Sequence, residues 1–436
     1  MHRINRHIGC LLLGCGLLLQ TGAQAIEIII DKGVENPIPV AIVPFNWSQA
    51  AGMPPADIAT VIADDLTRSA RFSTMEEKDM PQHPHDFNEI QFKDWQRLGM
   101  ENLVVGQLKQ TEHGDYVVDF RLVDVYKGKQ IAGFSIPSTQ LQLRRTAHEI
   151  SDIIYEKLIG VRGAFATRIV YITVVKNREG VKKYTLQLSD ADGYNPQVLL
   201  ESKEPMLSPS WSPDGKKLAY VSFESRNSAV YIQDLLTGAR EKVASNPGIN
   251  SAPAWSPDGT RLALTLSMGD NPEIYVMHVA SKQLRRMTSN VAIDTEPTWS
   301  PDGKLLAFTS DRGGGPQIYE IPADGGEPKR LTFDGNYNTR PVYSPDGKYI
   351  AVVHGEGGAY QIGLYDRNTK HISILSESRM DESPSFAPNG HMIIYTTTGA
   401  RGTALAAISV DGSVHQRLAL QDGEVREPAW GPFTNR

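Results

Sequence analysis

The sequence predicts an α/β N-terminal domain followed by an all-β six-bladed β-propeller closed by the C-terminal strand. Three observations carry that fold class. A phrase, Pro-x-aromatic-Ser-Pro-Asp-Gly, recurs between Pro209 and Trp430. Its aromatic residues stand 44, 44, 44, 43 and 44 positions apart, the period of a four-stranded blade. The stretch ahead of the repeats shares nothing with them.

Four copies are complete: Pro209–Gly215, Pro253–Gly259, Pro297–Gly303 and Pro341–Gly347. A fifth, Pro384-Ser-Phe386-Ala-Pro-Asn-Gly390, is looser, and a sixth, Pro428-Ala-Trp430-Gly-Pro432, is cut short. Ser-Pro-Asp-Gly spells a type I turn, with Pro presetting φ and Gly in the fourth place. The turn joins a strand carrying the aromatic to a second strand such as Lys217–Val221. Tyr231, Tyr275 and Tyr319 mark a third strand, each 20 residues after its Trp. One such sheet cannot bury both faces, so neighbours must stack. Residues 168–200 supply three strands (Arg168–Val175, Lys183–Asp190, Gln197–Leu200) with no inner strand before them. The strand Glu427–Gly431 is expected to complete that first blade, leaving the ring without a free edge.

Three regions follow: 1–25 an export signal, 26–160 the α/β domain, 161–436 the propeller. The leader shows Arg3 and Arg6, the apolar run Ile8–Leu19 and Ala23-Gln-Ala25, with cleavage expected after Ala25. Twelve apolar residues are too few for a bilayer, which needs about 20. Leu12-Leu-Gly-Cys15 resembles a lipobox, but the apolar run continues past it. Cys10 and Cys15 are the chain's two cysteines, so the exported protein has no disulfide or thiol chemistry. Loss of Arg3 and Arg6 takes the net charge from −6 to −8, which argues against nucleic acid or anionic membrane as partner. No second run is long enough to insert directly into a membrane.

In the α/β domain, Pro39–Pro44 reads as a buried strand and Pro54–Arg71 as a helix on Ile58, Val61, Ile62 and Leu66. Phe92–Leu98 reads as a second helix, and Asn102–Lys109, Tyr116–Val125 and Lys129–Ser135 as strands. A last helix spans Leu141–Leu158. His83-Pro-His85 lacks a third ligand nearby and reads as a solvated loop, not a metal pair. The glycine runs 313–315 and 355–358 open no helix and read as hairpin turns.

Inner strands line a propeller's channel, so residues just before each proline sit at one mouth. They are Leu207, Ser208, Ser251, Ala252, Thr295, Glu296, Thr339, Arg340, Glu382, Ser383, Arg426 and Glu427, with Asn250, Asp294 and Asp381 one step out. This mixed polar rim suits a peptide or loop of complementary charge. The aromatics Trp211, Trp255, Trp299, Tyr343, Phe386 and Trp430 are expected in blade packing. Ile26, Glu27, Ile28, Ile29, Ile30 and Asp31 form an apolar extended start. It suits either a first strand of the α/β domain or addition to a partner's sheet edge.

Export signal, α/β domain and the Trp-Ser-Pro-Asp-Gly repeat, together with Val40-Ala-Ile-Val-Pro-Phe45, resemble the TolB family of the Tol-Pal system. The resemblance covers the whole exported chain. It implies a non-enzymatic periplasmic bridge in Gram-negative bacteria. The rim from Leu207 to Glu427 would bind the outer-membrane lipoprotein Pal, and Ile26–Asp31 would bind the TolA C-terminal domain. It further implies service to outer-membrane integrity and invagination during cell division, with colicins and phage proteins as exploiting partners. No cofactor or metal is implied.

Two other classes stay open. One is a peptide-binding propeller with another periplasmic partner. The other is a Ca²⁺-dependent propeller hydrolase using Asp294, Glu296, Asp381, Glu382 and Glu427. A serine hydrolase would need Gly-x-Ser-x-Gly, which the sequence lacks.

Overall fold

The computed structural model describes residues 27–47, 54–268, 271–399, 402–419 and 423–434. The expected leader and Ile26 lie outside them.

The α/β domain is a mixed sheet in the order Phe72–Thr74, Ile38–Ile42, Asn102–Gln110, Tyr116–Asp124, Lys129–Ser138, with Asn46–Trp47 also beside the third strand. Ile38–Ile42 is parallel to both neighbours and buried between helices, hence its continuous apolar run. Helices α1 (Ile58–Arg68) and α3 (Leu143–Ile159) cover one face, burying Ile62, Leu66, Ile150 and Ile154 against Val40, Phe120 and Leu122. Trp95 of the short helix α2 (Phe92–Arg97) fills the other face with Val43, Leu103 and Val123. Helix α1 starts later than the sequence suggested, because Asp57 accepts from Thr60 N at 3.0 Å and caps it there. Gly160, at φ 92°, ends α3.

Six antiparallel blades follow. Blade one holds Arg168–Lys176, Lys182–Asp190 and Gln197–Ser202, and its inner strand is Glu424–Trp430 from the far end of the chain. Trp430 stands opposite Ile169, and Ala429 opposite Val170, the closure expected from the repeat. Blades two to five begin at Met206, Asn250, Asp294 and Tyr337 and have four strands each.

The repeated phrase works as a socket. Ser212 Oγ donates to Asp214 Oδ1 at 2.6 Å and accepts from Lys217 N at 2.9 Å. Ser256, Ser300 and Ser344 repeat the arrangement. The turn glycines sit at φ 68–71° in the four complete copies, where a side chain would be strained. Each rests on the proline of the preceding turn, as Gly259 does on Pro213. Trp211 Nε1 donates to Ala429 O of blade one, and Trp299 Nε1 to Ala254 O of blade three, both at 3.0 Å. These two indoles therefore join successive blades.

Blade six departs from the pattern. Behind Asp381–Phe386, Met392–Gly399, Gly402–Ser409 and His415–Ala419 it carries a fifth strand, Glu27–Lys32. Glu27 pairs with Ala419 and Ile30 with Gln416. The apolar start is thus not a strand of the α/β sheet. It crosses to the propeller, whose blade-six edge still offers unpaired backbone groups.

The α/β domain rests on the face bearing the Ser-Pro-Asp-Gly turns, over blades one and six. Asn389 Nδ2 donates to Arg162 O at 3.0 Å, Arg145 to Thr434 Oγ1 at 2.8 Å, and Arg71 pairs with Asp411 at 2.6 Å. The channel mouth where the inner strands start is at the opposite end. Among the described residues, no helix is long and apolar enough to cross a membrane.

Candidate protein-binding site

Each inner strand makes the same irregularity at the same level. The ladder slips by one residue between Leu207 and Ser210, Ser251 and Ala254, Thr295 and Thr298, Thr339 and Val342, Glu382 and Ser385, and Arg426 and Ala429. The extra residue is left-handed in every blade: Ser208, Ala252, Glu296, Arg340, Ser383 and Glu427, at φ 47–57°. Proline follows each and has no N–H to give the ladder, so the bulge falls where pairing is already broken. A residue before proline normally stays extended, and a left-handed Cβ-bearing residue costs about 1–3 kcal/mol. Six such positions are held by the closed ring.

These residues and the prolines after them line an axial cavity of about 300 Å³. Arg340 crosses it. Its Nε lies 3.2 Å from Glu296 Oε1 and its Nη2 3.1 Å from Glu427 Oε1, and its Nη1 donates to Ser383 Oγ. Glu296 also accepts from Arg340 N and Thr309 Oγ1, both at 2.9 Å. Glu427, and then Glu296, hold the guanidinium far above its ordinary range. The cross-braced channel ties blades one, four, five and six together.

The structure sorts the expected rim by position. One step before proline, side chains enter the channel. Two steps before, Leu207, Ser251 and Thr295 are half-buried, Thr339 is buried, and Glu382 and Arg426 are exposed at the mouth. Three steps before, Asn250, Asp294 and Asp381 are fully buried, a correction to their place on the rim. Asn250 donates to Asn246 O at 2.7 Å and accepts from Asn246 N at 2.8 Å, so it shapes the mouth loop. Asp294 pairs with Arg312 at 2.6 Å, and Asp381 accepts from Ser378 Oγ. The carboxylates considered for Ca²⁺ form no shared cluster: Asp294 and Asp381 are buried at the starts of separate inner strands, Glu382 is exposed, and Glu296 and Glu427 are paired with Arg340.

Sequence reasoning missed an apolar collar around this mouth. Ile249, Val291, Ile293, Phe333 and Met380 lie in loops leading into inner strands, and Met268 and Tyr360 in adjacent hairpins, all exposed. Val291 is 96% and Phe333 70% accessible. Exposed apolar side chains gathered on one face mark an interaction surface. Loop composition gives no periodic signal, which hid the collar.

Residues 155–434 match the model of the TolB beta propeller domain, and residues 26–131 that of the TolB amino-terminal domain. The chain belongs to the TolB family. It is 60% identical to the Tol-Pal system protein TolB of Thioalkalivibrio sulfidiphilus, over 97% of each chain. Identity to the Nitrosococcus oceani protein of the same name is 58%, over 98% of this chain and 100% of that one. TolB from Acinetobacter baumannii, known from its crystal structure, aligns with a TM-score of 0.85 at 42% identity, covering 94% of this chain and all of that one. Like these relatives, the chain is a component of the Tol-Pal system.

Proposed function

We propose that this TolB-family chain is a non-enzymatic bridge in the periplasm, reached through a leader cleaved after Ala25. Its channel mouth takes Pal, and its N-terminal strand is lent to TolA. In that role it supports outer-membrane integrity and invagination during division, and colicins or phage proteins would compete for the same surfaces. The observation that carries this reading is the fifth strand of blade six. The other five blades have four strands, so Glu27–Lys32 is an addition that can leave without opening the ring. An extended apolar segment released from one sheet edge is suited to join another.

The two proposed surfaces are close in the chain. Glu27 pairs with Ala419 at the mouth end of blade six, and the next strand, Glu424–Trp430, brings Glu427 to Arg340. A ligand that displaces Glu427 would act on the chain eight residues from Ala419, which pairs with the docked strand. At the mouth, the collar supplies apolar area, while Glu382, Arg426 and the Arg340 network supply polar selection.

The test is a binding assay of the exported protein against Pal and the TolA C-terminal domain. Deleting residues 26–32 is expected to abolish TolA binding and leave Pal binding intact. Ala252→Trp and Thr295→Trp are expected to do the reverse. Unchanged TolA binding after the deletion would refute the bridge, as would turnover of a small molecule by purified protein.

A further inference from the structure

The seam between the domains holds a buried histidine that the partner-binding reading does not use. His148 lies on α3 and is 2% exposed. Its Nδ1 is 2.7 Å from Asp65 Oδ2 on α1. Its Nε2 has no hydrogen-bond partner and faces Asp192 Oδ2, in the outer hairpin of blade one, at 3.8 Å. Each carboxylate already has a guanidinium: Arg68 lies 2.8 Å from Asp65, and Arg144 pairs with Asp192. Asp64 on α1 and Asp190 on the same hairpin add further negative charge, and Arg168 adds positive charge beyond them.

A neutral imidazole has one N–H and cannot serve both sides. With the proton on Nδ1, a bare lone pair would face the Asp192 carboxylate. With both nitrogens protonated, one ring bonds α1 and attracts the propeller hairpin at once. A carboxylate–imidazole–carboxylate trio is also what a divalent cation would take. Here the two guanidiniums occupy the carboxylates, and a dication would be repelled by them.

We propose that a single proton on His148 clamps the α/β domain to blade one, and that its loss at rising pH loosens the seam. Burial disfavours the charged ring, but Asp65 and then Asp192 outweigh it and place His148 above its ordinary value. The sign follows. A raised folded-state value gives stability that is whole below the unfolded value of about 6.5 and is lost as pH climbs through the folded one. Asp152, one turn along α3, acts in the same direction. It accepts from Phe165 N in the linker at 2.7 Å, and burial pushes its carboxyl up to about 7. Its contribution is whole below the unfolded value of 3.8 and is lost as pH passes about 7, while Phe165 N and Arg162, 4.0 Å away, favour its ionised form. The effect reaches blade six, because Gln416 Nε2 donates to Arg68 O of α1 and Gln416 pairs with Ile30 of the docked strand.

Arg162 in the linker reports on the seam, since its carbonyl is held by Asn389 and its guanidinium stacks on Phe433 at 4.2 Å. Tryptic cleavage after Arg162 would be measured from about pH 6.5 to about pH 9, normalised to an unstructured peptide of the same sequence. The wild-type rate is expected to climb severalfold, and His148→Gln to be cut fast at every pH. A flat wild-type ratio, or the same climb in His148→Gln, would overturn the clamp. So would protection that zinc restores or a chelator removes. If the variant does not fold, imidazole NMR of the wild type decides: a His148 transition tracking the cleavage profile supports the clamp, and a ring that does not titrate sinks it.

Discussion

Blades one and six are neighbours in the ring, and each borrows a strand from an end of the chain, yet the loans differ in kind. Blade one takes its innermost strand from the C-terminal end. There Val425 is fully buried, and Trp430 Nε1 donates to Thr167 Oγ1 at 2.8 Å. Blade six takes its outermost strand from the N-terminal end, where it adds to an already complete sheet. An inner strand is flanked by blades on both sides, while an outer one meets only its own sheet. One terminus therefore closes the fold, and the other is spare.

That contrast can be broken by experiment. Removing residues 424–436 should have the largest effect. It takes out Val425, Ala429 and Trp430 and strips Val170 and Ile172 of their cover. Val425, Val170 and Ile172 are buried aliphatic side chains worth about 1.5–3 kcal/mol each, against a total stability of about 5–15 kcal/mol. No cooperative melt of the propeller should remain by circular dichroism; a normal melt would show that closure is dispensable. Arg340→Ala should come next. It leaves Glu296 and Glu427 facing each other without their cation, a loss of about 2 kcal/mol given the partial exposure of the site. Adding Glu427→Gln should recover part of the lost melting temperature, and no recovery would mean that the bracing is not electrostatic. Deleting residues 27–32 should cost least, within about 1 kcal/mol. A loss as large as that of the C-terminal strand would mean that the N-terminal strand is structural and not lent.

The candidate site was legible in part. Counting back from each proline found Ser208, Ala252, Glu296, Arg340, Ser383 and Glu427, and all six line the channel. The same counting put Asn250 and Asp294 on the rim, yet both turn inward. The left-handed bulge at Ala252 and Glu296 breaks strand alternation there, and Asn250 and Asp294 are each consumed holding a loop or an arginine. Nothing local announces a left-handed residue before proline, because the local preference runs the other way. Nor could separation in sequence show His148 meeting Asp65, 83 positions away, or Asp192 across the domain seam.

The number of blades, the turn chemistry and the closing strand were settled by sequence alone. Period and turn residues are local, and every repeat restates them. Tertiary structure decided where the chain's beginning goes, how Arg340 divides itself between two glutamates, and which mouth is left open by the docked domain. Those outcomes depend on which surfaces are still unpaired once the ring has closed, and that is a property of the assembled blades.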